Sequence, residues 1–121
     1  MEQPPDIRKR AFEYALRAIK LYQYVQEKGD AAARIIGRQY LRSATSIGAN
    51  LQEAQAGESK ADFIHKCGIA QKEARESLYW LRLLCESALV PERKLALLIR
   101  ENEELMAIIS KIIINARKKG R

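Results

Sequence analysis

The sequence predicts an all-α protein, an antiparallel up-down-up-down bundle of four helices forming one domain over residues 1–121. Three observations predict it. Pro occurs only at positions 4, 5 and 91, so long stretches contain no helix breaker. Apolar residues recur in alternating steps of three and four through four segments. Gly, Ser, Asp and Pro cluster in the short gaps between those segments, and short connections force neighbouring helices to run antiparallel. No strand pattern, internal repeat or low-complexity tract competes with this reading.

The first helix follows Pro4 and Pro5, with Asp6 as its cap and a seam of Ile7, Ala11, Tyr14, Ala18, Leu21 and Val25. Gly29-Asp30 ends it and caps a second helix carrying Ile35, Ile36, Tyr40, Ile47 and Leu51 to about Gln55. After Gly57, Ser59 to Asp62 resembles a capping box with Asp in place of Glu. The third seam is Phe63, Cys67, Ala70, Ala74, Ser77, Leu81, Leu84 and Ala88. Pro91 is expected to begin the fourth helix, with Leu95, Leu98, Asn102, Leu105, Ile109, Ile112 and Ala116 facing inward before RKKGR frays its end. The helices should each run to about 23–28 residues.

Composition narrows the function classes. The longest run without a charged residue is Ser43 to Gln52, whereas a membrane span needs roughly 20 predominantly apolar residues. The start, MEQPPDIRKRAFEY, has no apolar segment behind a basic one, so a secretory signal is not expected and a cytoplasmic location is. Cys67 and Cys85 fall on one helix about 27 Å apart, too far to bridge, and read as small hydrophobes. With 22 Lys and Arg against 15 Asp and Glu, the formal charge is +7. A polyanion is the natural partner for such a chain, and plain solubility is the alternative.

The fourth helix carries Leu97, Ile99, Met106, Ile108, Ile113 and Ile114 beyond its seam, and the third carries Leu78, Tyr79, Trp80 and Leu83. That is more than one apolar stripe. A monomer rarely exposes large apolar patches, so the second stripe points to another copy of the chain, with a broad core face as the alternative.

The stretch SATSIGANLQEA, Ser43 to Ala54, places small and polar residues where long apolar ones would serve a core, which implies close approach of another backbone. Asn50 and Glu53, three apart on one helix, are expected to join Lys72 and Glu73 of the third helix in a structural polar network, with exposure of Glu53 as the alternative. The run from Arg42 to Leu84 resembles the signature of a small bacterial four-helix-bundle family. That family includes proteins encoded within intervening sequences of large-subunit ribosomal RNA genes, and the accessory variability determinant of diversity-generating retroelements. The matching residues are Arg42, Ser46, Ile47, Ala49, Asn50 and Glu53, then Phe63 and the block IAQKEARE from Ile69 to Glu76. Many relatives have Glu-Gly where this chain has Glu53-Ala54. The resemblance implies a barrel-like homopentamer and, for the retroelement members, a basic surface that binds nucleic acid and a reverse transcriptase.

Catalysis and cofactors are not expected. The chain has one histidine, His65, so a di-iron site with two Glu-x-x-His motifs cannot form within a subunit. No Cys-x-x-Cys pair, Gly-x-Gly-x-x-Gly or Walker loop occurs. Helical RNases of another bundle family set an Arg shortly before a His, but Glu58, Ser59 and Lys60 stand there here. The basic residues are better organised. Arg34, Arg38 and Arg42 step by four along the second helix, Arg17 and Lys20 enrich the first together with Arg8, Lys9 and Arg10, and Arg117, Lys118, Lys119 and Arg121 close the chain. Stripes of this kind neutralise phosphates of DNA or RNA in any sequence, and no aromatic residue interleaves with them. The expected function is a non-enzymatic homo-oligomer that binds nucleic acid, with the resemblance implying service as an accessory to a reverse transcriptase; a protein scaffold is the second reading and a helical nuclease a distant third.

Overall fold

The computed structural model describes residues 6–119, so Pro4 and Pro5 ahead of the first helix, and Gly120 and Arg121 at the end, lie outside the described residues. Helices α1 (Ile7–Lys28), α2 (Ala31–Gln55), α3 (Lys60–Glu86) and α4 (Ala96–Lys118) form a four-helix bundle. Helix α2 packs on α1 and α3, and α4 packs on α1 and α3, so the chain closes around one core.

The caps explain the boundaries. Asp6 accepts from the Arg8 N–H at 3.3 Å, Asp30 from Ala33 at 2.9 Å and Ser59 from Asp62 at 3.0 Å, each satisfying a first-turn donor that the helix cannot. Gly29 turns the chain between α1 and α2 in only two residues. A Cβ there would lie 2.7 Å from the Val25 carbonyl oxygen, so a larger residue would push the corner open.

The α3–α4 connection departs from expectation at two places. Ala88 is exposed rather than in the seam, and its φ of 63° lies in the left-handed region, which disfavours a residue with a Cβ. That conformation lets the Val90 N–H donate to Leu84 O at 3.2 Å and lays Val90, 2% exposed, against the core. Pro91 does not begin α4. It precedes a 3₁₀ turn at Glu92–Lys94, and Leu95, fully buried, anchors the chain before α4 starts at Ala96.

The seams otherwise form the core, with Ala11, Ala18, Ile47, Ala70, Ala74, Leu81, Leu105 and Ile109 fully buried. On α2, Ala33 and Gly37 face inward where Ile35 was expected; Ile35 is 55% exposed. The small residues of Ser43 to Ala54 do bring backbones together. A Cβ at Gly48 would stand 3.5 Å from the Ala11 Cβ and 3.6 Å from its carbonyl, so α1 and α2 nearly touch there. The hydroxyls of this stretch bond back within α2: Thr45 donates to Leu41 O at 2.8 Å and Ser46 to Arg42 O at 2.7 Å.

A polar layer crosses the centre, with one residue from each helix. The Tyr14 hydroxyl donates to Asn102 Oδ1 at 2.6 Å. Its single proton is thereby used, so the Ser77 and Tyr40 hydroxyls, each 3.0 Å away, both donate to the Tyr14 oxygen. Asn102 Nδ2 donates to Ala74 O at 2.8 Å. All four residues are buried, at 0–1% exposure, and the layer satisfies them mutually. Burial pushes the Tyr14 hydroxyl up to about 12 and Tyr40 well above its ordinary value, so both are neutral donors at physiological pH.

Candidate nucleic-acid interface

The expected arginine stripe divides by role. Arg34 Nη1 donates to Gly29 O at 2.7 Å, closing the α1–α2 corner. Arg42 reaches across to α3, where it pairs with Glu73 at 3.4 Å and with Glu76. Glu76 also accepts from Trp80 Nε1 at 3.1 Å, and that bond, followed by Arg42, holds its carboxyl below the ordinary value. Arg38, between them, is exposed and has no ion pair among the described residues. A comparable clamp joins α1 to α4: Arg10 grips Glu101 through Nε at 2.9 Å and Nη2 at 2.8 Å, and reaches Glu104 as well. Arg10, Arg34 and Arg42 are therefore committed to holding helices together.

The expected network of Asn50, Glu53, Lys72 and Glu73 does not form within the chain. Asn50 turns back on α2, its Nδ2 donating to Ser46 O at 2.9 Å. Glu53 and Lys72 are exposed, and Glu73 pairs with Arg42. Sequence spacing placed Asn50 and Glu53 on one side of α2, but a side chain as short as Asn can satisfy itself locally, and this one does.

Arg17 and Lys20 stand in a different setting. They line an open groove of about 270 Å³ between α1 and the start of α4, together with Leu21, Tyr24, Arg93, Lys94, Leu97 and Leu98. Four cations thus meet around an apolar floor, with no carboxylate among the described residues that line it. Lys94 Nζ lies 4.5 Å from the centre of the Tyr24 ring. Leu97 is 66% exposed at the groove's edge. Arg93 and Lys94 were not singled out in the sequence. The available signal was topological: in an antiparallel bundle the last turns of α1 stand beside the first residues of α4, and Arg17, Lys20 and Tyr24 share the helix face that looks there. Tyr24 also means that an aromatic residue does sit among these cations, contrary to the expectation from linear order.

At the opposite end, Arg117 and Lys72 line a second open groove with His65, Ile64, Gly68 and Ile69, and Lys118 and Lys119 are exposed at the end of α4. A third groove, about 480 Å³, is lined by Leu78, Tyr79, Leu83 and Met106, with Arg75, Arg82 and Glu86 at its margins. Among the described residues, no group of three or more His, Cys, Asp or Glu could hold a metal ion, and no helix is long and apolar enough to cross a membrane. Cys67 is buried and Cys85 half-buried, both free; burial pushes the Cys67 thiol up to about 11.

A search of curated proteins found no match to the chain. Among solved structures, it is similar to a protein of unknown function from the S23 ribosomal protein family of Bacteroides thetaiotaomicron VPI-5482. The two are 34% identical and superpose with a TM-score of 0.81 over 89% of this chain and 98% of the other. The sequence model of the 23S rRNA-intervening sequence protein family matches residues 5–111. With the bundle, the central Arg42 to Leu84 signature and this match agreeing, the chain belongs to the 23S rRNA-intervening sequence protein family.

Proposed function

We propose that this protein is a non-enzymatic homo-oligomer, a pentamer, that binds nucleic acid through the phosphate backbone using cations its own fold leaves unpaired. The observation that carries the reading is the convergence of Arg17, Lys20, Arg93 and Lys94 on one groove without a carboxylate lining it. Cations that the bundle needs for its own helix contacts, Arg10, Arg34 and Arg42, are spent there, yet a net +7 persists. Arg38, Arg117 and Lys118 extend the basic surface over the length of the bundle. The family's name refers to 23S rRNA intervening sequences, which supports a structured RNA as one probe.

Assembly is supported by two apolar surfaces on different sides of the molecule. One is the groove of Leu78, Tyr79, Leu83 and Met106 on α3 and α4. The other is a ridge on α1 of Phe12, Leu16 and Ile19, which are 61%, 49% and 38% exposed. Phe12 lies roughly 160° around α1 from Arg10, whose side chain faces α4, so the ridge looks away from α4. A ridge fitting a groove of the next copy is a heterologous contact, and such contacts close into rings when the rotation permits. The reverse transcriptase implied by the resemblance to retroelement proteins belongs to the same reading as a larger partner, to be tested by pull-down with a purified enzyme.

Fluorescence anisotropy with two unrelated duplexes and a structured RNA at low salt tests the binding, alongside light scattering on the same sample. The expected result is a pentamer with similar affinity for both duplexes. If an intact oligomer binds none of the probes, the charge is a solubility feature and the protein-scaffold reading replaces this one.

A further inference from the structure

Resting on the nucleic-acid reading, we infer that the groove between α1 and the start of α4 is a seat for a single-stranded segment, with Tyr24 as its base platform and Arg17, Lys20, Arg93 and Lys94 as its phosphate contacts. Three features distinguish this groove from the rest of the basic surface. Its lining combines cations with an apolar floor of Leu21 and Leu98, whereas Arg38 and Lys118 stand exposed on helix surfaces. Its cations come from two separate elements, α1 and the 3₁₀ turn, so they flank the floor. Its volume of about 270 Å³ and its apolar floor suit unstacked bases, which a duplex keeps inside its own stack.

Tyr24 is half-buried, so the ring is held by packing rather than free to swing. Its accessible face already attracts a cation, Lys94 Nζ at 4.5 Å. A base stacking on Tyr24 would displace that ammonium, and the flexible lysine stem lets it move to an adjacent phosphate. Stacking on an aromatic face tolerates any base, so the seat should be nearly indifferent to sequence. The groove and the apolar ridge are neighbours on α1: Arg17 lies about 100° or more around the helix from Phe12, Leu16 and Ile19, whereas Lys20 lies about 40° from Leu16, so a seated strand would border the ridge.

The test compares a fluorescein-labelled unstructured oligouridylate with a blunt RNA duplex of equal length. The proteins are wild type, R17Q/K20Q/R93Q, Y24L, and a distal control K60Q/K111Q at exposed lysines of α3 and α4, all checked for helix content and assembly. The expected results are tighter binding of the single strand, and a salt slope for the triple variant shallower by about 2, near 0.7 per lost contact. Tyr24→Leu should bind about fivefold or more weakly, and the distal control should resemble wild type. Ultraviolet crosslinking of a 4-thiouridine oligomer should label the segments containing Tyr24 and Leu97. If wild type binds but the triple variant and Tyr24→Leu bind equally well, the seat is elsewhere and only this inference falls. A duplex bound as tightly as the single strand overturns the single-strand assignment. Displacement by poly-glutamate at equal charge concentration would make it a general polyanion groove. Loss of all binding by wild type would remove the functional reading as well.

Discussion

Replacing Tyr14 by Phe should destabilise the bundle far more than replacing Tyr40, although both hydroxyls are buried and hydrogen-bonded to each other. Tyr14 accepts from Tyr40 and Ser77 and donates to Asn102. Its loss strands the Tyr40 donor and the Asn102 Oδ1 acceptor; Ser77 can turn to a carbonyl of its own helix. A stranded buried polar group costs about 1–3 kcal/mol, so two of them give roughly 2–6 kcal/mol. Tyr40 contributes only one donor at the end of the chain of bonds, and Tyr40→Phe leaves Tyr14 with Ser77 and Asn102, so its cost should stay near about 1 kcal/mol. The double variant should be more stable than Tyr14→Phe alone, because removing the Tyr40 hydroxyl removes one stranded donor. Urea unfolding followed by helix signal, at one fixed protein concentration because assembly is linked to stability, would measure all three. Equal losses for the two single variants, or a double variant that is the simple sum, would refute the layer's assignment of donors.

Three further outcomes follow from particular positions. Ala88→Gly should raise stability by about 0.5–1 kcal/mol in the same assay, because φ at Ala88 is 63° and glycine adopts that conformation without a Cβ penalty. Gly48→Ala should be tolerated or stabilising by up to about 1 kcal/mol, since the added methyl meets Ala11 at ordinary contact distance, 3.5 Å, and helix propensity improves; a loss would mean that α1 and α2 are closer than described. Glu76 has its folded value depressed by Trp80 and Arg42, so it stabilises the fold above the ordinary carboxyl value of 4.5 and that contribution is lost as pH falls through the depressed value. Glu76→Gln should therefore lower stability at neutral pH and narrow its gap from wild type in acid, as read from melting temperatures across pH.

The bundle was legible because spacing marks most of each helix's inner face, the start of α2 excepted, where Ala33 and Gly37 rather than Ile35 face inward, and Tyr14, Ser77 and Asn102 all stood in the predicted seams. Their meeting at one level was not legible, because the vertical stagger between helices comes from connection lengths and packing rather than from any one helix. Asn50 illustrates the converse. Spacing aimed it at a neighbour, but the Ser46 carbonyl one turn below was nearer. Arg34 and Arg42 looked like surface charge for the same reason: the Gly29 carbonyl and the Glu73–Glu76 pair that hold them belong to other elements. The groove of Arg17, Lys20, Arg93 and Lys94 joins residues far apart in the chain, and only the turn after Pro91, where the sequence pattern predicts the start of a helix, brings the last two into place.

The most direct test of phosphate-directed binding is the salt dependence of affinity for the intact assembly, measured by anisotropy on one unstructured RNA over a salt series. The account predicts a straight line of log affinity against log salt, falling by about 0.7 for each phosphate contacted. The R17Q/K20Q/R93Q variant should give a shallower line at unchanged assembly mass, a multiple of the 13.8 kDa chain. An affinity that does not change with salt, or a variant line that coincides with wild type, would contradict it.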